Sequence, residues 1–197
     1  MRMLNNYISV LRWCLLPSLT GKGRGVVLLF CLSLFSCHKA EPLYDSYPAY
    51  FIYVGTNTVP QLNAAMGGMG EFCTIEDKVN QYVFANMAGS TPVNKTAISN
   101  YQHFHMGRGG GFIVGLPTYI ADTSPHVVCY DIVCPNCFEL TAIAPHLNLI
   151  SGSRAECSAC QRTYDLNNLG ILASGLPGRS LYRYNASYSP YTLVISN

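Results

Sequence analysis

Short runs of alternating apolar and polar residues recur along the chain from Tyr47 onward, and this period of two is typical of half-buried β-strands. No window shows a convincing helical period of 3.6 residues. Segments rich in glycine, proline and polar residues separate the runs, and we expect Gln61–Gly70 to be a loop and Gly89–Asn94 a turn. The predicted strands are Tyr50–Val54, Glu71–Ile75, Gln81–Ala85, Phe112–Leu116, His126–Val133 and Tyr191–Ile195.

Short strands at steady spacing, with turn residues between them, predict an all-β domain built as a small β-sandwich or barrel. Hydrophobic residues make up 49% of the chain and charged residues only 11%, which excludes a mainly disordered protein. The 17 glycines and 11 prolines suit frequent turns between strands. We therefore expect a single β-domain over residues 47–197.

The first 36 residues have the pattern of an export signal. Lys22 and Arg24 form a basic flank just before the uncharged run Val26–Phe35, which is too short for a transmembrane helix, since a helical span needs about 20 residues. The segment Leu34–Cys37 resembles a bacterial lipobox, and this resemblance implies cleavage before Cys37 and a lipid on its sulfur. The alternative is an uncleaved apolar anchor that uses the wider run from Tyr7.

The charge distribution agrees with export and gives no basis for nucleic-acid binding. Four of the twelve lysines and arginines precede the apolar run. The remainder of the chain therefore contains eight basic and ten acidic residues, and it has no basic stripe. We therefore expect an exported chain, held by its lipid to the bacterial cell envelope on the periplasmic or outer-membrane face. Residues 37–46 are predicted to be a tether between the lipid and the domain.

The strongest chemical signal is a pair of Cys-x-x-Cys motifs. Cys134 and Cys137 are followed, after 19 residues, by Cys157 and Cys160, a spacing typical of a four-thiolate metal site. Two residues between cysteines let one tight turn aim both sulfurs at a single point. Two such turns complete a tetrahedron in which each sulfur lies about 2.3 Å from the metal. The motifs predict a metal-binding subdomain of two cysteine knuckles over about residues 130–175.

The residues alone leave three interpretations of these cysteines open. A single structural metal, most simply zinc, is favoured because a chain exported unfolded can bind it outside the cytoplasm and use the binding energy to fold. Iron or a 2Fe–2S cluster at the same thiolates is the first alternative, although a cluster would need assembly after export. Metal-free disulfides are the second alternative, because exported chains meet an oxidising compartment.

The histidines and the remaining cysteines favour structural roles. His103 and His105 would share one face of a strand but lack a third metal ligand, and His146 lies in what we expect to be an ordinary loop. Cys73 and Cys129 are predicted to be buried small residues, with a disulfide between them as the alternative.

No catalytic residue is predicted. The glycine cluster Gly107–Gly111 lacks the Gly-Lys-Ser/Thr ending of a phosphate loop, so we expect a hairpin or bulge there. The chain has no Ser-His-Asp ordering, no paired carboxylates and no nucleophile elbow.

The residues after the first cysteine pair carry further features. The second pair is followed by Tyr164-Asp165, a turn at Gly170, and a Gly-x5-Leu-x2-Tyr segment over Gly175–Tyr184. Together these features resemble the Rieske-like domain, and the chain is most similar to small Rieske-like lipoproteins of Bacteroides-type bacteria. The resemblance is strong over residues 126–197. It implies a base sandwich over residues 47–125, the cysteines at the tip, and Tyr164 and Asp165 as hairpin residues.

The ligand set departs from that family. A Rieske centre holds one iron by two histidines and the other by two cysteines, but the first loop here has no histidine and Cys160 stands where a histidine would be. The resemblance therefore implies the fold and the place of the site, without a Rieske cluster. We expect a membrane-anchored, non-enzymatic protein with a structural zinc. The alternative is a 2Fe–2S electron-transfer protein, acting as an electron carrier or oxidoreductase subunit with an envelope redox partner.

Overall fold

The computed structural model describes residues 42–97, 103–118, 126–143 and 145–197, and these are mostly β-sheet. They contain two α-helices, α1 (Pro60–Gly67) and α2 (Pro135–Thr141), and a short 3-10 turn over Thr56–Thr58. The strands are β1 (Ala49–Val54), β2 (Phe72–Asp77), β3 (Gln81–Asn86), β4 (Gly89–Asn94), β5 (His105–Met106), β6 (Gly111–Gly115), β7 (Val128–Asp131), β8 (Asn148–Ile150), β9 (Arg154–Glu156), β10 (Thr163–Asp165), β11 (Ile171–Ser174), β12 (Arg183–Ser189) and β13 (Thr192–Ser196). The prediction of a predominantly β domain is therefore confirmed.

The predicted export signal, the lipidation site Cys37 and the first half of the predicted tether lie outside the described residues. Within the part of the chain that is described, no helix is long and apolar enough to span a bilayer.

The strands form two antiparallel sheets. Nine strands make the larger sheet, in the order β4-β3-β2-β6-β7-β12-β13-β1-β5, and four make the smaller one, in the order β11-β10-β9-β8. The smaller sheet lies between β7 and β12 in sequence, and it carries the second cysteine pair between β9 and β10. The first pair follows β7 directly, so the central strands of the larger sheet lead into the cysteine region.

Two hydrophobic cores lie on opposite faces of β6 and β7. Phe112 and Cys129 face the core of the larger sheet, whereas Ile113 and Tyr130 face the core beneath the smaller sheet. Every residue of β6 is buried, because alternate side chains of a strand point to opposite faces and both faces are covered. The predicted apolar run Phe112–Leu116 is therefore a central strand shared by both cores.

Two predictions of irregular structure are wrong. The segment expected to be a loop contains α1, which begins at Pro60 and buries Leu62, Ala65 and Met66 on one face. The run is only eight residues long and flanked by glycines, so its helical period is weak evidence in the sequence. The segment expected to be a turn is β4, an edge strand that tolerates Pro92 because an edge strand can leave one side unpaired.

The glycine cluster forms a turn around the carboxylate of Asp131, which is fully buried. That carboxylate accepts hydrogen bonds from the backbone N–H groups of Arg108 (2.6 Å), Gly109 (3.2 Å) and Val133 (3.1 Å), and from the hydroxyl of Tyr184 (2.9 Å). Burial raises its pKa above the ordinary value although these donors oppose the shift. The donors of the glycine turn thus face a side chain of the chain itself, which favours the structural interpretation of the cluster over a phosphate loop.

Cys73 and Cys129 are buried free cysteines, as predicted. They lie on β2 and β7, and Val114 of β6 is paired with both of them. Neighbouring strands are about 4.8 Å apart, so residues two strands apart exceed the Cα separation of about 7 Å that a disulfide allows. The disulfide alternative is therefore wrong, and burial raises the pKa of the Cys73 thiol to about 12.

Residues 42–48, here called the strap, lie against the domain immediately before β1. The Asp45 carboxylate accepts two hydrogen bonds from the Arg108 guanidinium, from Nε at 2.6 Å and from Nη2 at 2.9 Å. The Asp45 N–H also donates to the carbonyl of Arg183 at 2.8 Å. The last residues of the predicted tether therefore contact the folded domain.

The Asp45–Arg108 pair predicts a component of stability that acid removes. Burial raises the pKa of the Asp45 carboxyl, but hydrogen bonds from Arg108 and from the backbone outweigh burial and hold it below the usual 3.8. Because this folded-state pKa is lowered, the stabilisation is complete above the unfolded pKa and disappears as pH falls through the folded one. We expect Asp45→Asn to lower the free energy of unfolding by about 1 kcal/mol at pH 6, and by clearly less at pH 3.

Chemical denaturation of both proteins at the two pH values measures this effect. A difference between wild type and variant that is the same at pH 3 as at pH 6 would contradict the assignment.

Candidate metal centre

The first cysteine knuckle is built by the start of α2. Cys134 is the residue before the helix, Pro135 opens it with a φ suited to a first turn, and Cys137 follows in that turn. Both sulfurs therefore project from the same end of one short helix. The tight turn expected between these two cysteines is therefore the first turn of α2.

The second knuckle is a tight turn between β9 and β10. The N–H of Gln161 donates to the carbonyl of Cys157 at 2.9 Å, and the N–H of Cys157 donates to the carbonyl of Arg162 at 3.0 Å. Gln161 closes the turn in the left-handed region, with φ of 57°. These bonds reverse the chain between Cys157 and Cys160 and turn both sulfurs toward the first knuckle.

The fold brings all four sulfurs together, as the spacing of the motifs predicted. The Sγ atoms of Cys134, Cys137, Cys157 and Cys160 all lie within 4.8 Å of one another. The Cys134–Cys160 and Cys137–Cys157 sulfur pairs are both 3.7 Å apart, and all four cysteines are free. A tetrahedral ion with sulfur ligands at about 2.3 Å requires sulfur–sulfur distances of about 3.8 Å. The four thiols thus form a group that could hold a metal ion.

The site lies at the boundary between the second core and the surface. Cys134 and Cys157 are fully buried and belong to the core beneath the smaller sheet. Cys137 and Cys160 are half-buried. One side of the site therefore faces packed apolar side chains and the other faces solvent.

The thiols differ in how readily they ionise. Burial opposes ionisation of Cys160, but hydrogen bonds from the side chain and backbone of Arg162 outweigh it and lower the pKa of Cys160 to about 6. Burial and the neighbouring thiols raise the pKa of Cys137 well above its usual range. A cation among the sulfurs would favour the thiolate form of all four ligands.

A polar network braces the first knuckle from behind. The hydroxyl of Tyr164 lies 3.2 Å from the Cys134 sulfur and accepts a hydrogen bond from the Asn136 side-chain amide at 2.9 Å. Asn136 also donates to the carbonyl of Arg179 at 3.1 Å and accepts from its N–H at 3.0 Å. A β-carbon at Gly178 would clash with this amide in its present position, so glycine leaves room for it. The residue between the two cysteines therefore ties their knuckle to the segment before β12.

The sequence did not reveal these bracing roles. Tyr164 was expected to be a hairpin residue, and it does lie on β10, but the hydroxyl of its fully buried side chain also contacts Cys134. Arg162 and Arg179 carry no motif that distinguishes them from surface arginines. The position of Asn136 inside a Cys-x-x-Cys motif is the only sequence signal that could have indicated a bracing role.

No histidine joins the cysteines among the described residues. His146 lies elsewhere, with Nε2 at 3.0 Å from the carbonyl of Gly109 and Nδ1 at 3.4 Å from the Glu76 carboxylate. His105 is an exposed residue of β5. His103 lies before β5, with φ of 39°, so the two histidines do not share one face of a strand as expected.

A separate surface cavity of about 360 Å³ lies where the β3–β4 turn approaches β8 and β9. Its lining includes Glu71, Met87, Ser153 and Arg154 and none of the four cysteines. The Ser153 hydroxyl already donates to the carbonyl of Gly70 at 2.7 Å.

Comparisons with known proteins add no family to this description. A scan against protein-family models finds no match to the chain, and a search of curated proteins likewise finds none. The function must therefore be argued from the sequence motifs and from the geometry of the four cysteines.

The hydroxyl of Tyr164 predicts a specific effect on the first knuckle. Tyr164→Phe removes a hydrogen bond to Cys134 and leaves the Asn136 amide short of a partner, so we expect a loss of about 1–2 kcal/mol in the free energy of unfolding. We also expect faster alkylation of Cys134 by iodoacetamide, measured by peptide mass spectrometry on metal-free protein.

Tyr130→Phe is a matched control, because the Tyr130 hydroxyl is also buried but donates to the carbonyl of Leu166 at 2.9 Å. It should lose similar stability without faster alkylation of Cys134. Equal alkylation rates in the two variants would show that Tyr164 acts only on general stability.

Proposed function

We propose that this chain is a lipid-anchored protein of the bacterial cell envelope whose four cysteines hold one structural zinc ion. The observation that carries the proposal is the approach of four free sulfurs to within 4.8 Å, with two pairs at 3.7 Å. This spacing suits one tetrahedral ion. Zinc is the simplest occupant, since it needs no assembly machinery and can stabilise the fold without a redox role.

The four-cysteine spacing argues against a 2Fe–2S cluster. Such a cluster places two irons and two sulfides between its thiolates, so the cysteine pairs on different irons must lie much farther apart than those on one iron. A set of sulfurs that are all within 4.8 Å of one another leaves room for a single ion only. The raised potential of a Rieske centre also depends on histidine ligands, and none joins these cysteines.

A single iron at the same four thiolates is the second candidate. Tetrahedral sulfur ligation is typical of both zinc and iron, so the geometry fits either ion. Iron would make the protein an electron carrier with an envelope redox partner, whereas zinc would make it a non-enzymatic structural site.

The structural role of the metal follows from what surrounds it. The smaller sheet consists of strands of three or four residues and packs on a core that includes two of the cysteines themselves. Such a small unit gains little stability from burial alone, and a metal that joins its turn to α2 would supply folding free energy.

A Rieske-like architecture is part of the proposal. Its supports are the separate small sheet that carries the second cysteine loop, the Tyr164-Asp165 strand, and the segment from Gly175 to Tyr184 that leads back into the larger sheet. The envelope location rests on the sequence, through the apolar run and the lipobox-like segment that ends at Cys37.

Elemental analysis of the purified chain, combined with thiol counting, tests the proposed occupant. We expect about one zinc per chain, no visible absorption, and four cysteines that become alkylated only after a chelator removes the metal. Stoichiometric iron with visible colour would favour the electron carrier. Finding no metal, with the four cysteines in disulfides, would contradict both candidates.

Removal of one ligand tests whether the metal supports the fold. Cys137→Ser or Cys160→Ser should abolish stoichiometric zinc and unfold residues 134–184, because about 10–16 kcal/mol of binding energy is at stake in structural zinc sites. Hydrogen exchange of that segment is the measurement. Cys73→Ser is the control, since this buried cysteine lies outside the metal-ligating group, so the variant should keep one zinc despite lower stability.

If either ligand variant kept wild-type exchange protection over residues 134–184, the cysteines would have no structural role.

A further inference from the structure

Arg108 lies between two aromatic rings that belong to different parts of the chain. Its guanidinium carbon is 4.7 Å from the ring centroid of Tyr47 in the strap and 4.6 Å from that of Tyr182. These distances are those of cation–π contacts. Asp45, also in the strap, holds the same guanidinium by two hydrogen bonds. The strap thus fixes the position of Arg108 through both charge and stacking.

The stack continues to the first cysteine knuckle. The guanidinium of Arg179 lies over the Tyr182 ring at 4.8 Å, and Arg179 also pairs with Glu139 of α2. Phe138 of α2 meets Tyr182 edge to face, with ring centroids 6.5 Å apart, and lies 5.8 Å from the Arg108 guanidinium.

Both branches of the stack end on the residues that hold the metal ligands. Phe138 directly follows Cys137, and its N–H donates to the carbonyl of Cys134 at 3.0 Å. The backbone of Arg179 makes two hydrogen bonds with the Asn136 side chain, between the two cysteines. A continuous series of contacts therefore runs from the strap to the first knuckle.

We propose that the strap is a positioning element for the metal centre, in which Asp45 holds Arg108 and the stack on Tyr182 so that α2 keeps Cys134 and Cys137 aimed at the second knuckle. This inference rests on the proposed function, in that the four cysteines hold a metal. The strap immediately follows residues 37–41, the part of the predicted tether nearest the predicted lipid, so the conformation of the tether would influence how firmly the metal is held.

The position of α2 depends on the strap and the stack because α2 has few other supports. It is seven residues long, and of its residues only Pro135 is fully buried. Isolated helices of this length are unstable in water, so its position depends on side-chain contacts. The stack on Tyr182 and the Asn136 amide are contacts of this kind, and both involve Arg179.

The test compares Asp45→Asn with wild type in the full chain, using two readouts. The first is the rate at which the loaded protein loses zinc to a chromogenic chelator. The second is hydrogen exchange over residues 134–141 in the metal-free chain. We expect the variant to lose zinc about fivefold faster and to exchange this segment faster, since loss of a partly buried ion pair changes an opening equilibrium by about that factor.

Asp77→Asn is the matched control. Asp77 forms an ion pair with Lys95 at the end of β2 in the larger sheet, so its substitution removes an ion pair whose two side chains are not part of the stack. Its zinc-loss rate and its exchange over residues 134–141 should stay close to wild type. Equal effects of the two substitutions would assign the result to general stability and overturn the proposal.

A double variant shows whether Asp45 affects zinc loss through Arg108. Asp45→Asn should change the zinc-loss rate little in a chain that already carries Arg108→Gln if Asp45 acts through Arg108, because the two residues then form one unit. Unchanged zinc loss and unchanged exchange in Asp45→Asn would also overturn the proposal. If wild type binds no metal, the proposed structural zinc fails, while hydrogen exchange still decides the role of the strap.

Discussion

The organisation of the C-terminal half depends on one constraint, which is that four sulfurs from two separate turns occupy a space less than 4.8 Å across. No covalent bond joins them. Four thiolates at this spacing would repel one another without a cation. A single tetrahedral ion would relieve that repulsion at the observed spacing. The same ion would tie α2 to the turn between β9 and β10, which are otherwise joined by a small core.

Two central strands of the larger sheet determine where the first cysteine pair lies. β6 and β7 separate the two cores, and β7 ends three residues before Cys134. At the end of β7, the buried Asp131 carboxylate accepts four hydrogen bonds, three of them from backbone N–H groups. Because a buried carboxylate is costly unless its oxygens are hydrogen-bonded, the glycine turn and Val133 must keep their positions around it. The start of the first knuckle is therefore positioned by contacts of the sheet that involve none of the four sulfurs.

Much of the β-structure was predictable because strands with one buried face alternate, whereas a strand buried on both faces, such as β6, is a continuous apolar run. The strands β1, β2, β3, β6 and β13 all fall on predicted runs. The errors also have physical reasons. α1 is too short for its period to be distinguished from a loop, and β4 contains proline, which is tolerated there because the strand lies at an edge. The sequence could not exclude a disulfide between Cys73 and Cys129, because only the register of β6 shows that a strand lies between them.

The sequence by itself determined the four candidate ligands, because a Cys-x-x-Cys turn aims two sulfurs at one point and two such turns suffice for a tetrahedron. It also determined that the domain is predominantly β, through the period of two. The tertiary structure alone decided what surrounds the ligands: the Tyr164 hydroxyl on Cys134, the Asn136 amide held by Arg179, and the strap that reaches Tyr182 through Arg108. These contacts join residues far apart in the chain, and single side chains at such distances follow no local pattern that a sequence could display.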